Sequence, residues 1–229
     1  MKIISNTPLI NRNKRLAQGA NIASLVVLAV GLYISFTPDL IAWAFLALLI
    51  GFVLSQVGIY YASRWGRSPR PDEKLNQALK GMDDKYSLYH YKSPVSHLLI
   101  GPAGVWVLLP YPQKGNIMYD ADRKRWKHTG GSLYLKWFAQ EGLGRPSQDA
   151  EIAQKDIENF LKNRLEEGQI PPVNAALVFT DNETKVQYAD SPFPAMPADK
   201  LKDFIRRAAR ETPIPEEMLK AVQNELPKE

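Results

Sequence analysis

The side chains able to do chemistry are sparse and scattered along the chain. There is no cysteine, which excludes disulfides, thiolate zinc sites and a cysteine nucleophile. The three histidines, His90, His97 and His128, lack metal-ligand spacing of the HExxH kind. His97, in a run of alternating residues, reads as a satisfied structural histidine rather than a ligand. Ser96, Ser132 and Ser147 have no G-x-S-x-G setting, so a serine hydrolase is not indicated. Gly130-Gly131 is too short to cradle a phosphate. Two local patterns remain. Asp120-Ala121-Asp122 is an acidic pair, either a solvated turn between short strands or part of a hard-cation site. Arg123-Lys124-Arg125-Trp126-Lys127-His128 is a basic run with an aromatic inside it. It suits phosphates with Trp126 stacked on a base, anionic lipid headgroups, or an exposed turn leading to a core tryptophan.

Two unlike stretches must position these residues. Residues 1–70 hold seven bases, Lys2, Arg12, Lys14, Arg15, Arg64, Arg67 and Arg70, against one acid, Asp39, a net +6. The remainder holds 22 bases against 23 acids, a net −1. The basic balance of the whole chain thus belongs to its N-terminal stretch. A nearly neutral remainder disfavours strong nonspecific DNA binding, which needs several Lys or Arg contacts.

Residues 20–36 and 40–61 are free of charge, and about 20 apolar residues suffice for a helix to cross hydrocarbon. Thr37-Pro38-Asp39 between them is a turn. The expectation is a transmembrane helical hairpin over 20–61, after a basic cytoplasmic segment, 1–19, and before a stiff linker, 62–71. A cleaved signal peptide fits less well, because the second span follows at once without a small-residue cleavage site. Bases flank both outer ends and the loop carries only Asp39. The positive-inside rule then puts both termini in the cytoplasm, with Tyr60, Tyr61 and Trp65 in the aromatic belt on that side. The expected location is the inner membrane of a bacterium or archaeon, with two spans and a cytoplasmic soluble domain.

Beyond Pro71 the patterns predict a helix over 72–80 stopped by Gly81, and a strand over 86–91. Next come two strands over 95–100 and 104–109 joined by a Gly-Pro turn, and short strands over 116–119 and 125–127. An amphipathic helix is expected over 146–167 with Ile152, Ile157, Phe160, Leu161 and Leu165 on one face. A buried strand over 175–180 and helices over 200–210 and 215–226 complete the order. Helix, strands, helix, strand, helix is the order of an α/β domain with a mixed sheet flanked by helices.

The run SHLLIGPAGVWVLLPYPQKG, residues 96–115, resembles the most specific stretch of the nuclease-related domain family, NERD, of the restriction-endonuclease-like superfamily. That stretch reads approximately D-H-V-V-I-G-P-x-G-V-F-V-I-E-T-K-x-Y-x-G. Gly101-Pro102 and Gly104 match the family's turn, and Lys114-Gly115 its later K-G. Arg145-Pro146-Ser147-Gln148 echoes its N-P-x-x-Q element. Residues 175–180 resemble its following strand. Ala198-Asp199-Lys200-Leu201 with Phe204-Ile205-Arg206 resembles its closing D-L-x-x-F-L. The resemblance covers residues 72–210 and implies a restriction-endonuclease-like fold. It also implies a Mg²⁺ site for phosphodiester cleavage, built from an acid before one strand and an E-x-K on the next. Those three positions are Ser96, Leu109 and Tyr111 here, so the catalytic set is degenerate. Glu73, Lys114 and Gln148 are the remnants that still match.

The sequence therefore reads as a two-helix membrane anchor, a NERD-like domain over 72–210 and a C-terminal helix over 211–229. The leading expectation is a catalytically inactive module that binds a protein partner or nucleic acid at the bilayer. It would need no cofactor. Arg123, Lys124, Arg125 and Lys127 are its candidate contacts to nucleic acid or lipid. The alternatives are a Mg²⁺-dependent nuclease with acids relocated to Glu73, Asp120 and Asp122, and a purely structural membrane-associated protein.

Overall fold

The computed structural model describes residues 1–130 and 142–227. They fall into two compact units: Thr7–Arg70, and a unit made from Met1–Asn6 together with the chain from Pro71 onward.

The first unit is a helical hairpin. Helix α1 (Thr7–Ile34) leads through a 3₁₀ turn (Pro38–Leu40) to α2 (Ile41–Tyr61), which runs on into a π-helical turn (Ala62–Gly66). Both helices are long and apolar enough to cross a membrane. Helix α1 buries Ile10, Ala17, Ser24 and Gly31, and α2 buries Ala44, Gly51 and Gly58, each series spaced by seven. A seven-residue repeat is two turns of a slightly under-wound helix, so the two seams stay in contact as the helices coil. From Ala17 on, the seam residues are small, which lets the backbones approach. A Cβ on Gly51 would meet Leu28 Cδ2 at 2.6 Å, and one on Gly31 would meet Ala47 Cβ at 2.9 Å. Large apolar side chains such as Leu25, Val30, Phe45 and Phe52 are exposed. Of the most apolar stretches of α1 and α2, only 17% and 11% is buried.

The second unit is α/β. A six-stranded sheet has the order β1-β2-β3-β4-β7-β9. Its strands are β1 (Lys2–Ser5), β2 (Ser87–His90), β3 (His97–Gly101), β4 (Gly104–Tyr111), β7 (Val173–Phe179) and β9 (Ala195–Pro197). The pairs β2–β3 and β3–β4 are antiparallel, and β1–β2, β4–β7 and β7–β9 are parallel, so the sheet is mixed. A smaller sheet pairs β5 (Asn116–Asp120) with β6 (Arg125–Thr129) and β8 (Lys185–Gln187). The helices are α3 (Pro71–Ala78), α4 (Pro146–Lys162), α5 (Ala198–Glu211) and α6 (Glu216–Asn224).

Alternation along the strands feeds two cores, one on each face of the large sheet. Leu98, Ile100, Val105, Val107, Leu177 and Phe179 face Ile157 and Leu161 of α4 and Leu219 and Val222 of α6. Leu99, Trp106, Leu108 and Val178 face Leu75 of α3 and Leu201 and Ile205 of α5. Strands β3 and β4 read as nearly unbroken apolar runs because both of their faces are covered. Gly104, at φ +97°, makes the tight turn between them, a conformation open to glycine without strain.

The fold agrees with the sequence reading in class and in the pairing of β3 with β4. It differs at several boundaries. Residues 1–19 are not one segment: Lys2–Ser5 is an edge strand of the sheet, and α1 starts at Thr7. The polar first turns of α1 are helical because Asn13 and Ala17 are buried on the hairpin seam. Residues 62–66 extend α2 rather than forming a linker. The helix expected over 146–167 ends at Lys162, and Ile152 on it is 60% exposed. Ile152 lies five residues from Ile157, roughly 140° around the helix, whereas Ala150, Ile157 and Leu161 share the buried face. The C-terminal helix is Glu216–Asn224, and Leu219, Val222 and Leu226 belong to the core of the unit. Strands β1, β8 and β9 carry no sequence signal of their own, each having only three or four residues.

Candidate functional site

Leu109 and Tyr111, two of the three positions where the resemblance expects a metal site, lie at the C-terminal end of β4. Pairing of β3 with β4 runs from Gly101↔Gly104 to Leu98↔Val107, so Ser96 and Leu109 lie at the same end of the sheet, with Tyr111 beyond. Ser96 is exposed, and its carbonyl accepts the Tyr91 N–H at 2.8 Å. Leu109 and Tyr111 are half-buried and pack against the α4-side core. Parallel pairing with β7 sets Tyr111 beside Phe179, ring centroids 5.6 Å apart. Trp126 of β6 stands 6.2 Å from Phe179 and 5.2 Å from Tyr119.

The first turn of α4 closes this aromatic cluster. The Tyr111 hydroxyl donates to Asp149 Oδ2 at 3.1 Å, and the Trp126 indole N–H donates to Ser147 Oγ at 2.9 Å. Burial pushes the Tyr111 phenol up, and the adjacent Asp149 carboxylate adds to the rise. At neutral pH Tyr111 is therefore a fixed hydrogen-bond donor and not a phenolate. The positions expected to hold a carboxylate and a lysine are an aliphatic Leu109 on the core and an aromatic Tyr111 beside Phe179. Neither Ser96 nor Leu109 places a carboxylate at this end of the sheet.

The remnants point elsewhere. Lys114 Nζ lies 3.7 Å from Asp181 Oδ2 and 3.8 Å from Glu183 Oε2, in a half-exposed ion pair. Gln148 accepts from Arg145 within the N-terminal turn of α4. Glu73 is on α3, which packs on the opposite face of the sheet from Leu109 and Tyr111. Asp120 is held by Lys127 Nζ at 2.6 Å and by the Arg123 N–H at 3.1 Å, and these contacts keep its carboxyl below the usual range. Asp122 is exposed in the same turn, as are Arg123 and Lys124, and Arg125 at the start of β6 is exposed too. Among the described residues no three His, Asp or Glu side chains are grouped so as to hold a metal ion. Glu73, Asp120 and Asp122 are accordingly not brought together. Gly131 and Ser132 lie outside the described residues.

Sequence reasoning missed a second polar cluster. The β2–β3 register places His90 opposite His97, and their Nδ1 atoms are 2.8 Å apart in a buried contact. His90 Nε2 is 3.0 Å from Asn76 Oδ1 on α3. An amide oxygen only accepts, so His90 Nε2 donates to Asn76, and in the Nδ1–Nδ1 contact one ring donates and the other accepts. Burial holds the His97 pKa down at about 3, the neighbouring His90 adds to this, and the Asp72 carboxylate opposes it. The available signal was the hairpin: two histidines flank a connection whose strands pair antiparallel, and residues 90 and 97 face each other in such a pair.

Comparison with known proteins gave no matching protein-family model, no matching curated protein and no matching solved structure. The NERD resemblance therefore stands on the residues of this chain.

Proposed function

We propose that the protein is a bilayer-anchored, NERD-like module of the restriction-endonuclease-like superfamily that binds rather than cleaves, presenting its α/β unit to a protein or nucleic-acid partner at the cytoplasmic face of the inner membrane. The outward-facing hairpin carries this reading. Helices α1 and α2 bury alanine, serine and glycine and expose leucine, valine and phenylalanine. Water penalises that arrangement and hydrocarbon rewards it. Orientation rests on Arg12, Lys14, Arg15, Arg64, Arg67 and Arg70 outside the spans and Asp39 alone between them. The aromatic packing of Leu109 and Tyr111 supports a scaffold at the former cleavage site.

The full-length chain is expected in the membrane fraction, resistant to high salt and carbonate and released by detergent. Recovery in the soluble fraction without detergent would reject the anchor. A cysteine at Thr37 should be labelled from outside the cell and one at Lys200 only after lysis. Purified full-length protein in detergent should not cleave single- or double-stranded DNA with Mg²⁺ or Mn²⁺. Metal-dependent nicking that Glu73→Ala abolishes would replace the binding module with a nuclease whose acids have relocated.

A further inference from the structure

The helical hairpin has one charged end, and we propose that this end is a binding collar for the phosphates of anionic lipid headgroups. The inference rests on the hairpin spanning a bilayer. Helices α1 and α2 run antiparallel, with Leu28 against Gly51, Asn21 against Gly58 and Ala17 against Gly66. That ladder brings Arg12, Lys14 and Arg15 level with Arg64 and Arg67. All five are exposed. Successive helical residues are offset by about 100°, and Asn13 faces the seam. Arg12, Lys14 and Arg15 therefore fan around the remaining sides of α1. Arg64 and Arg67 continue the ring on the other helix, and the Arg64 guanidinium lies 4.8 Å over the Tyr60 ring.

The one carboxylate in residues 7–70 is Asp39, at the opposite end of the hairpin. From Arg15 to Ile34 an α-helix rises about 28 Å, close to the thickness of a hydrocarbon core. The collar thus sits where apolar surface ends and the phosphate layer begins. Guanidinium groups hold phosphate oxygens through paired, directional N–H donors, and lysine adds a point charge. The continuous exposed apolar flank is what selects lipid over free phosphate or nucleic acid, since a lipid fills both the collar and the flank.

The test uses the full-length chain in neutral detergent micelles containing equal minor fractions of phosphatidylglycerol and phosphatidylcholine, with retained lipid quantified after purification. The expected result is a preference of about tenfold or more for phosphatidylglycerol, falling toward parity as salt is raised. Combined Arg12→Gln, Lys14→Gln, Arg15→Gln, Arg64→Gln and Arg67→Gln should remove the preference. Combined Arg123→Gln, Lys124→Gln and Arg125→Gln, in the turn of the α/β unit, should retain it. The salt series on the unaltered chain decides the matter even where the fivefold variant fails to fold. Parity between the two lipids, or a salt-independent preference, overturns the collar while leaving the anchor intact. Loss of preference in the Arg123 variant instead moves the lipid site to the α/β unit and also overturns it. Displacement of retained phosphatidylglycerol by a single-stranded oligonucleotide reassigns the collar to nucleic acid. A full-length chain found in the soluble fraction rejects the anchor and the collar together.

Discussion

In the hairpin the buried seam is Ala17, Ser24, Gly31, Ala44, Gly51 and Gly58, while Leu25, Val30, Phe45 and Phe52 are exposed. In the α/β unit the arrangement is reversed, with Leu75, Leu99, Ile100, Leu108 and Phe179 fully buried. One chain thus holds two packing regimes. The α/β unit is held by apolar area withdrawn from water, roughly 25 cal/mol per Å². The hairpin has little such area to withdraw between its helices. Its cohesion comes from close backbone approach and from whatever solvates its exterior. Equivalent substitutions should therefore have unequal effects in the two regions.

The largest difference is expected for truncation of a large apolar residue. Leu99→Ala removes a fully buried side chain from the α5-side core and should cost about 3 kcal/mol, read as a lowered denaturation midpoint of the full-length protein in detergent. Phe45→Ala, at a residue 70% exposed, should leave that midpoint unchanged. Equal losses would abolish the distinction. Enlarging a small residue should act in the opposite sense. Gly51→Leu has Leu28 side-chain atoms at 2.6 Å from its first added carbon and should destabilise the hairpin by about 1–3 kcal/mol. Leu25→Phe on the outer face should do nothing measurable in the same micelle melt.

Acid should distinguish the units next. His97 in the folded protein titrates at about 3, below the value of about 6.5 for an unfolded histidine. Between those values the unfolded chain binds the extra proton, so the stabilisation is complete above about pH 6.5 and is lost as pH falls. The expected slope is about 1.4 kcal/mol per pH unit between pH 6 and 4, confined to melting of the α/β unit. His97→Phe should flatten it, and an unchanged slope would remove the histidine pair as its source. The smallest effect belongs to Ile152→Ser on α4, within about 0.5 kcal/mol, because that side chain already meets solvent.

The legible parts of the molecule were those with long, regular patterns. Charge-free runs marked both long helices, and the Gly-Pro turn between two apolar runs marked β3 and β4. What escaped has short range in sequence and long range in space. Strand β1 is four residues whose partner begins at Ser87, and β9 is three residues that end in Pro197 and follow Pro194. The contact of Trp126 with Ser147, and of Tyr111 with Asp149, likewise depends on where α4 lands against the sheet. Leu109 and Tyr111 were visible as residue types, but the aromatic cluster around Tyr111 required Phe179 from another strand.

The pairing of β1 with β2 imposes an order on biosynthesis. Ile3 finds Leu88 only after the entire hairpin has been translated. Closing so long a loop is slow, and parallel pairing with high sequence separation is slower still. During that interval the edge of β2, Ser87–His90, waits uncovered, and uncovered edges recruit other chains. Delivery of the hairpin to its final surroundings and completion of the sheet are thus steps of a single maturation. A chain begun at Pro71 would keep most of its core yet leave this edge permanently open, and self-association rather than loss of fold is the defect it should show.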